Sequence, residues 1–286
     1  MPGSFREVLI FIAGSTPQII SEAIYAFSQQ NPPVYPDEIF IITTEPGRQC
    51  ITETLNDQGI LAQLFAEYDI PPIPLTDASF LVIKDRNGIP LEDIRTVEAN
   101  EAAGDQIAQF LRSKSAEPHC RLHCILSGGR KSMSYYMGVS YQLFARQWDK
   151  LYHVMVSDEF ELNPDFFYKP KTNRKIEAHF RNGDVKQLNT DDAEISLIEL
   201  PLIFLRDKLI LPAGTVRELV AEGQKAIDSA AMQLPVRVDL TERTIYIGDV
   251  LIELQPAQLV LYTALLRYKL GPCKYNNRNY CQECTA

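Results

Sequence analysis

Arg121 to Tyr136 reads RLHCILSGGRKSMSYY, and the fold follows from how this stretch is parsed. Leu122 to Leu126 is a short apolar run of the kind a buried strand needs. Ser127, Gly128 and Gly129 supply a turn. Arg130 and Lys131 then open a segment whose apolar residues Met133, Tyr136 and Leu143 recur at helical spacing. A strand, a glycine turn and a helix start make an anion site, because unpaired N–H groups and the positive end of the helix dipole point the same way. Glycine allows a ligand to approach backbone that a Cβ would shield. The same letters also suit an ordinary strand-to-helix turn with two solvated basic residues.

The N-terminus repeats the arrangement. Val8 to Ala13 is apolar, Gly14-Ser15-Thr16-Pro17 follows, and a helix is expected over Gln18–Gln29. Pro17 suits the first helical turn, and Ser15 or Thr16 suits the cap. Alone this is a common βα junction. In one parallel sheet, the two turns share the edge at which open α/β folds bind ligands.

The first 160 residues alternate between the two signals. Strands are expected at Glu7–Ala13, Glu38–Thr43, Phe80–Lys84, Leu122–Leu126 and Leu151–Val156. Helices are expected at Gln18–Gln29, Arg48–Glu67, Ala99–Ser113 and Ser132–Gln147. That order predicts a Rossmann-like parallel sheet with helices on both faces. Pro71 to Asn100 is longer than a plain connection, with a hairpin expected around Arg86, Asn87 and Gly88, and such an insertion is a candidate ligand cover. In Asp158 to Pro170, the aromatics Phe166, Phe167 and Tyr168 suit either packing at the sheet edge or stacking on bases. Another hairpin is expected around Asn182–Gly183, followed by an apolar run Ile195–Leu205.

Composition shifts near Pro212, so the chain divides as 1–211 and 212–286. The second part reads as a helix Thr215–Asp228, two short alternating strands with turns near Glu242 and Gly248, and an amphipathic helix from about Pro256. This resembles the opening of a winged-helix domain. No second and recognition helices follow, which puts DNA reading by this segment in doubt. No internal repeat or low-complexity tract occurs.

Three stretches, FIAGSTPQII (Phe11–Ile20), FIITTE (Phe40–Glu45) and LSGGRKSMSYYMG (Leu126–Gly138), resemble CARF domains, the CRISPR-associated Rossmann-like sensors of cyclic oligoadenylates. Within that group they are most similar to stand-alone ring nucleases of type III CRISPR systems. The resemblance covers roughly residues 5 to 205, and its specificity lies in the two turns taken as a pair. It implies binding of a cyclic oligoadenylate across a homodimer and its cleavage, with no cofactor.

The chemistry suits these residues. A cyclic oligoadenylate carries its own nucleophile, the ribose 2′-OH, so the protein supplies positioning and charge stabilisation. Lys131, or Arg130 beside it, would neutralise the phosphorane, and Ser15 would align the 2′-OH or a phosphate oxygen. The resemblance implies the same roles for Ser15 and Lys131. The candidate ligand-binding set is Gly14, Thr16, Thr43, Thr44, Ser127, Gly128, Gly129 and Ser132. None of His119, His123, His153 and His179 suits a general base, which fits positional catalysis and equally fits none. The competing readings are a non-catalytic sensor acting through the C-terminal segment and an ordinary Rossmann nucleotide enzyme. The latter lacks both G-x-G-x-x-G and a P-loop.

At 286 residues, 45% hydrophobic and 23% charged, the chain has the composition of a globular protein. No apolar run approaches the roughly 20 residues of a membrane span. Met1 to Glu7 lacks the pattern of a signal peptide, so a cytoplasmic location is expected. A net charge of −9 argues against broad binding to long nucleic acid while leaving room for a small anion in a local pocket. Cys120 and Cys124 share one face of a strand and read as core. Cys273, Cys281 and Cys284, spaced C-x7-C-x2-C, resemble part of a zinc site but are one ligand short of a closed one.

Overall fold

The computed structural model describes residues 5–161, 163–179, 185–231 and 235–271. They divide into two compact units, 1–219 and 220–286. The first is built on strand β1 (Arg6–Ile12), whose residues Val8 to Ile12 are completely buried. Side chains alternate across a strand. Val8, Ile10 and Ile12 therefore enter one core with Ala103, Ile107 and Leu111 of helix α4 (Val97–Ala116) and Met133, Met137 and Tyr141 of helix α5 (Lys131–Phe144). Leu9 and Phe11 enter the other with Ile20, Ala23, Ile24 and Phe27 of α1 (Gln18–Ser28) and Leu61 and Leu64 of α3 (Ile60–Tyr68). A strand covered on both faces reads as a continuous apolar run, as β1 does.

With β2 (Glu38–Thr43), β3 (Phe80–Val82), β4 (Cys120–Ile125), β5 (Lys150–Val156) and a later strand β8 (Ile195–Leu200), β1 forms a six-stranded sheet in the order β3-β2-β1-β4-β5-β8. All pairs are parallel except β5 with β8. The order runs outward from β1 in both directions, so the switch point lies between β1 and β4. This is a Rossmann-like mixed α/β architecture with a mostly parallel sheet. The run beginning at Ile195 is the antiparallel edge strand, which sequence pattern alone did not reveal. Before it, β6 (Lys175–His179) and β7 (Val185–Asn189) form the expected hairpin, whose tip lies outside the described residues.

Several expectations need correction. The helix expected over Arg48–Glu67 is α2 (Glu45–Ile51), one π-turn (Thr52–Asp57) and α3. Gly59, at φ 72°, is left-handed and breaks it. Neither Ser15 nor Thr16 caps α1. Pro17 occupies the cap with no side-chain hydrogen bond, and Ile20 N donates to its carbonyl at 3.1 Å. The strand expected from Leu122 begins at Cys120, and His119 lies just before it at φ 56°. Phe166 and Tyr168 are buried in cores, leaving no ring face for base stacking. Cys120 and Cys124 are core residues, as expected.

The second unit holds three strands rather than two, β9 (Val236–Asp239), β10 (Thr244–Ile247) and β11 (Val250–Ile252), in antiparallel order, and helix α7 (Pro256–Leu270). Helix α6 (Val216–Ala231) carries the division between the units. The amphipathic reading of α7 fails: only Leu259 is buried, while Val260, Leu261, Leu265, Tyr268 and Leu270 are exposed. Cys273, Cys281 and Cys284 lie outside the described residues. Among the described residues no helix is long and apolar enough to cross a membrane, and no group of metal-ligating side chains occurs.

The turn after α5 is held by a buried charge pair. Asp149, fully buried, accepts from Leu122 N at 2.9 Å and from Arg146 N and Nε, each at 2.8 Å. Arg146 donates further to Glu117 O at 2.6 Å. Asp149→Ala leaves the guanidinium buried without its counter-charge, and urea unfolding should show a loss of about 3–5 kcal/mol. A loss under 1 kcal/mol would mean that this turn does not anchor β4 to β5.

Candidate functional site

Three strand-to-helix junctions crowd the carboxyl ends of β1, β2 and β4. The first runs Ala13–Pro17, the second Thr44–Gly47 and the third Leu126–Arg130. The first and third touch through backbone: a Cβ on Gly14 would sit 3.3 Å from Gly129 Cα, and a Cβ on Gly128 only 2.7 Å from Ile12 O. Gly129 is also left-handed, at φ 70°. Any larger residue would drive the turns apart, so the glycines are required by proximity as well as conformation.

The chain then turns into α5 with Arg130 at the cap and Lys131 in the first helical position. Met133 N reaches Arg130 O at 2.9 Å. The amides of Lys131 and Ser132 have no acceptor among the described residues, as helix geometry demands of a first turn.

Two clefts flank the paired turns and meet at Thr16 and Gly129. The first, about 390 Å³, is lined by Gly14, Ser15, Thr16, Thr44, Gly129 and Arg130, with Glu92 and Asp93 from the long insertion. The insertion is held there by Glu45 N donating to Leu91 O at 3.0 Å. Its tip is the expected hairpin: Asp85 accepts from the backbone of Asn87 and Ile89, with Gly88 at φ 81°. Arg130 makes a bidentate pair with Asp93, Nε to Oδ1 at 3.0 Å and Nη2 to Oδ2 at 2.5 Å. The hydrogen bonds from Arg130 and then Arg95 hold the Asp93 carboxyl far below the usual carboxylate range.

The second cleft, about 290 Å³, opens on the other side of the glycines. It is lined by Gln18, Ile19 and Glu22 of α1, Ser127, Gly128, His153 to Val156, Asp158 and Glu161. Ser127 Oγ accepts from Val154 N at 2.7 Å and lies 3.1 Å from His153 Nδ1, so this hydroxyl braces β4 against β5.

The candidate residues thus separate into groups. Gly14, Ser15, Thr16, Thr44, Gly129 and Arg130 share the first cleft; Thr16, Ser127, Gly128 and Gly129 share the second. Lys131 is exposed at the helix start, and Ser132 is half-buried beside it; neither lines a cleft wall. Thr43 is fully buried, with its Oγ1 against the Gly47 backbone and without a hydrogen-bond partner. Sequence reading missed Glu92, Asp93, Glu22 and His153. Of these only His153 stood out by residue type, and nothing in the sequence indicated that it meets Ser127.

Glu22 is 5% exposed. Burial first, and then the charge of Glu161, raise its carboxyl from the ordinary 4.5 to about 8. The folded chain therefore keeps a proton between these values that the unfolded chain has lost, and stability falls as pH rises through that window. Urea unfolding from pH 5 to 8 should show this fall, on the order of a few kcal/mol. Glu22→Gln should flatten it and exceed the wild type at pH 8. Parallel wild-type and variant curves would show that Glu22 ionises freely.

Fold and geometry define a Rossmann-like α/β protein with two clefts at the sheet switch point. Residues 16–235 match the family model described as CRISPR-associated protein NE0113 (Cas_NE0113), and the chain belongs to that family. This assigns it to a CRISPR-associated lineage. No curated protein matches the sequence. Among solved structures it is similar to a "putative UDP-N-acetylglucosamine 2-epimerase" from Listeria monocytogenes. The identity is 15% and the TM-score 0.26, over 52% of this chain and 30% of that one, a likeness too slight to carry any argument.

Proposed function

We propose that this protein binds a cyclic oligoadenylate, with cyclic tetra-adenylate the first candidate, and opens the ring without a metal ion. The observation that carries this reading is the backbone contact of two βα turns at the switch point of a CRISPR-associated protein. Each turn leads into a helix start with free amides, so together they offer adjacent phosphates two cradles. In the reaction a ribose 2′-oxygen attacks the neighbouring phosphorus and the bond to the 5′-oxygen breaks. The hydroxyl proton ends on that departing oxygen, and a 2′,3′-cyclic phosphate remains.

Lys131, exposed and at the positive end of α5, neutralises charge gathering on the phosphorane. Ser15, exposed in the facing turn, aligns the nucleophile. Arg130 exchanges its carboxylate partner Asp93 for a phosphate, a geometry that suits the same guanidinium fork. A four-membered ring has two-fold symmetry, so a homodimer with one ring across it completes the reading.

A sensing-only reading, in which the ring is bound intact and the winged-helix-like C-terminal segment responds, is supported by the exposed apolar residues of α7 and β11.

Incubation with cyclic tetra-adenylate separates the two. Linear product with a 2′,3′-cyclic phosphate is expected, unchanged by EDTA. Lys131→Ala should lower the single-turnover rate about 10²–10³-fold, the range for removing one preorganised stabiliser of charge. Ser15→Ala should cost less, since it removes alignment rather than charge. An intact ring that binds one per two chains would select sensing, and a Lys131→Ala protein cleaving at the wild-type rate would displace the chemistry from this site.

A further inference from the structure

The second cleft contains a group that the phosphate chemistry does not use. Glu22 sits in its wall, 95% removed from solvent, and its carboxyl makes no hydrogen bond among the described residues. Gln18, one turn earlier on the same helix, has a buried Oε1 that is likewise without a partner. A buried polar group left unpaired costs about 1–3 kcal/mol, and such groups in folded proteins ordinarily have a partner. Gln18 Oε1 is such a buried, unpaired atom, and beside it the Glu22 carboxyl has no partner among the described residues, so the cleft is lined for something that enters it. The cleft holds roughly ten times the ~30 Å³ that one water occupies in the liquid. Ile19, Val154 and Val156 supply apolar walls, and the remaining charged or titratable side chains are His153, Asp158 and Glu161.

We infer that this cleft is a nucleobase pocket in which Glu22, with Gln18, reads the amine-bearing edge of adenine. A protonated carboxyl presents an O–H donor beside a C=O acceptor. Adenine presents the complement, a ring-nitrogen acceptor beside the N6 amine. Glu22 donates to the ring nitrogen and accepts one amine hydrogen, and Gln18 Oε1 accepts the other. On its N7 edge guanine lacks this pairing, because N7 and O6 are both acceptors. The raised carboxyl of Glu22 keeps the donor in place at neutral pH. The pocket adjoins the paired turns at Thr16 and Gly129, so a base bound here hangs from a phosphate held there. This inference deepens the oligoadenylate reading and rests on it for the identity of the natural ligand.

Calorimetric titration of the full chain with adenosine 5′-monophosphate, guanosine 5′-monophosphate and cyclic tetra-adenylate tests it, at pH 7 and pH 9. Wild type should prefer the adenine ligands and lose about tenfold in affinity at pH 9, where only about a tenth of Glu22 remains protonated. Glu22→Gln, whose amide keeps a donor beside an acceptor, should bind adenine at both pH values without that loss. Glu22→Leu should weaken binding at least tenfold. Ring binding that ignores Glu22→Leu, or a wild-type and Glu22→Gln pair with the same pH response, overturns the base pocket and leaves the ring reading intact. Adenosine 5′-monophosphate bound through Glu22 with no affinity for the ring upholds the pocket and overturns the ring reading. Binding of neither ligand overturns both.

Discussion

The contact between Gly14 and Gly129 is the constraint on which the site depends. Strands β1 and β4 lie about one hydrogen-bonded spacing apart, near 4.8 Å. The turns leaving them must separate unless both lack side chains, and here both do. Gly128 completes the approach by lying over the Ile12 carbonyl. Two helix starts, on α1 and α5, are thereby brought to one ridge with a cleft on either side. Neither turn alone offers more than a weak anion site; their distance apart turns them into one surface with a polar spine.

The electrostatics of the ridge are more balanced than the basic SGGRKS motif implies. Asp93 and Glu92 are carried over the first cleft by the long insertion, and Arg130 is already paired. Lys131 carries the uncommitted positive charge at the start of α5. Exposed ion pairs of this kind contribute little to stability, typically under about 1 kcal/mol, so exchanging Asp93 for a phosphate is a small energetic step. Glu22 on the opposite side has no Lys or Arg in its cleft, and burial raises its carboxyl to about 8. The two clefts thus differ in kind, one built from exchangeable charge and the other around a buried acid.

Much of this fold was legible in the sequence for one physical reason. Parallel strands buried on both faces read as apolar runs; Val8–Ala13 is unbroken and ends at Gly14, and Leu122–Leu126 is interrupted only by His123 and reaches Gly128 after Ser127. What stayed hidden depends on distance along the chain. Arg130 meets Asp93 across 37 residues, and Ser127 meets His153 across 26. The antiparallel seat of β8 and the break at Gly59 were equally hidden, since a run at strand spacing does not name its partner and an isolated glycine is tolerated in many helices. Nothing in the sequence marks Glu22 as buried, since the residues that share its cleft, Asp158 and Glu161, lie more than a hundred positions away.

The most direct test of the account is hydrogen–deuterium exchange of the full chain with and without cyclic tetra-adenylate. The account predicts protection in two separate stretches at once, residues 13–19 and 126–133, saturating at one ring per two chains. Protection of only one stretch, or of neither while the ring binds elsewhere, would contradict the claim that the paired turns form a single phosphate-binding surface.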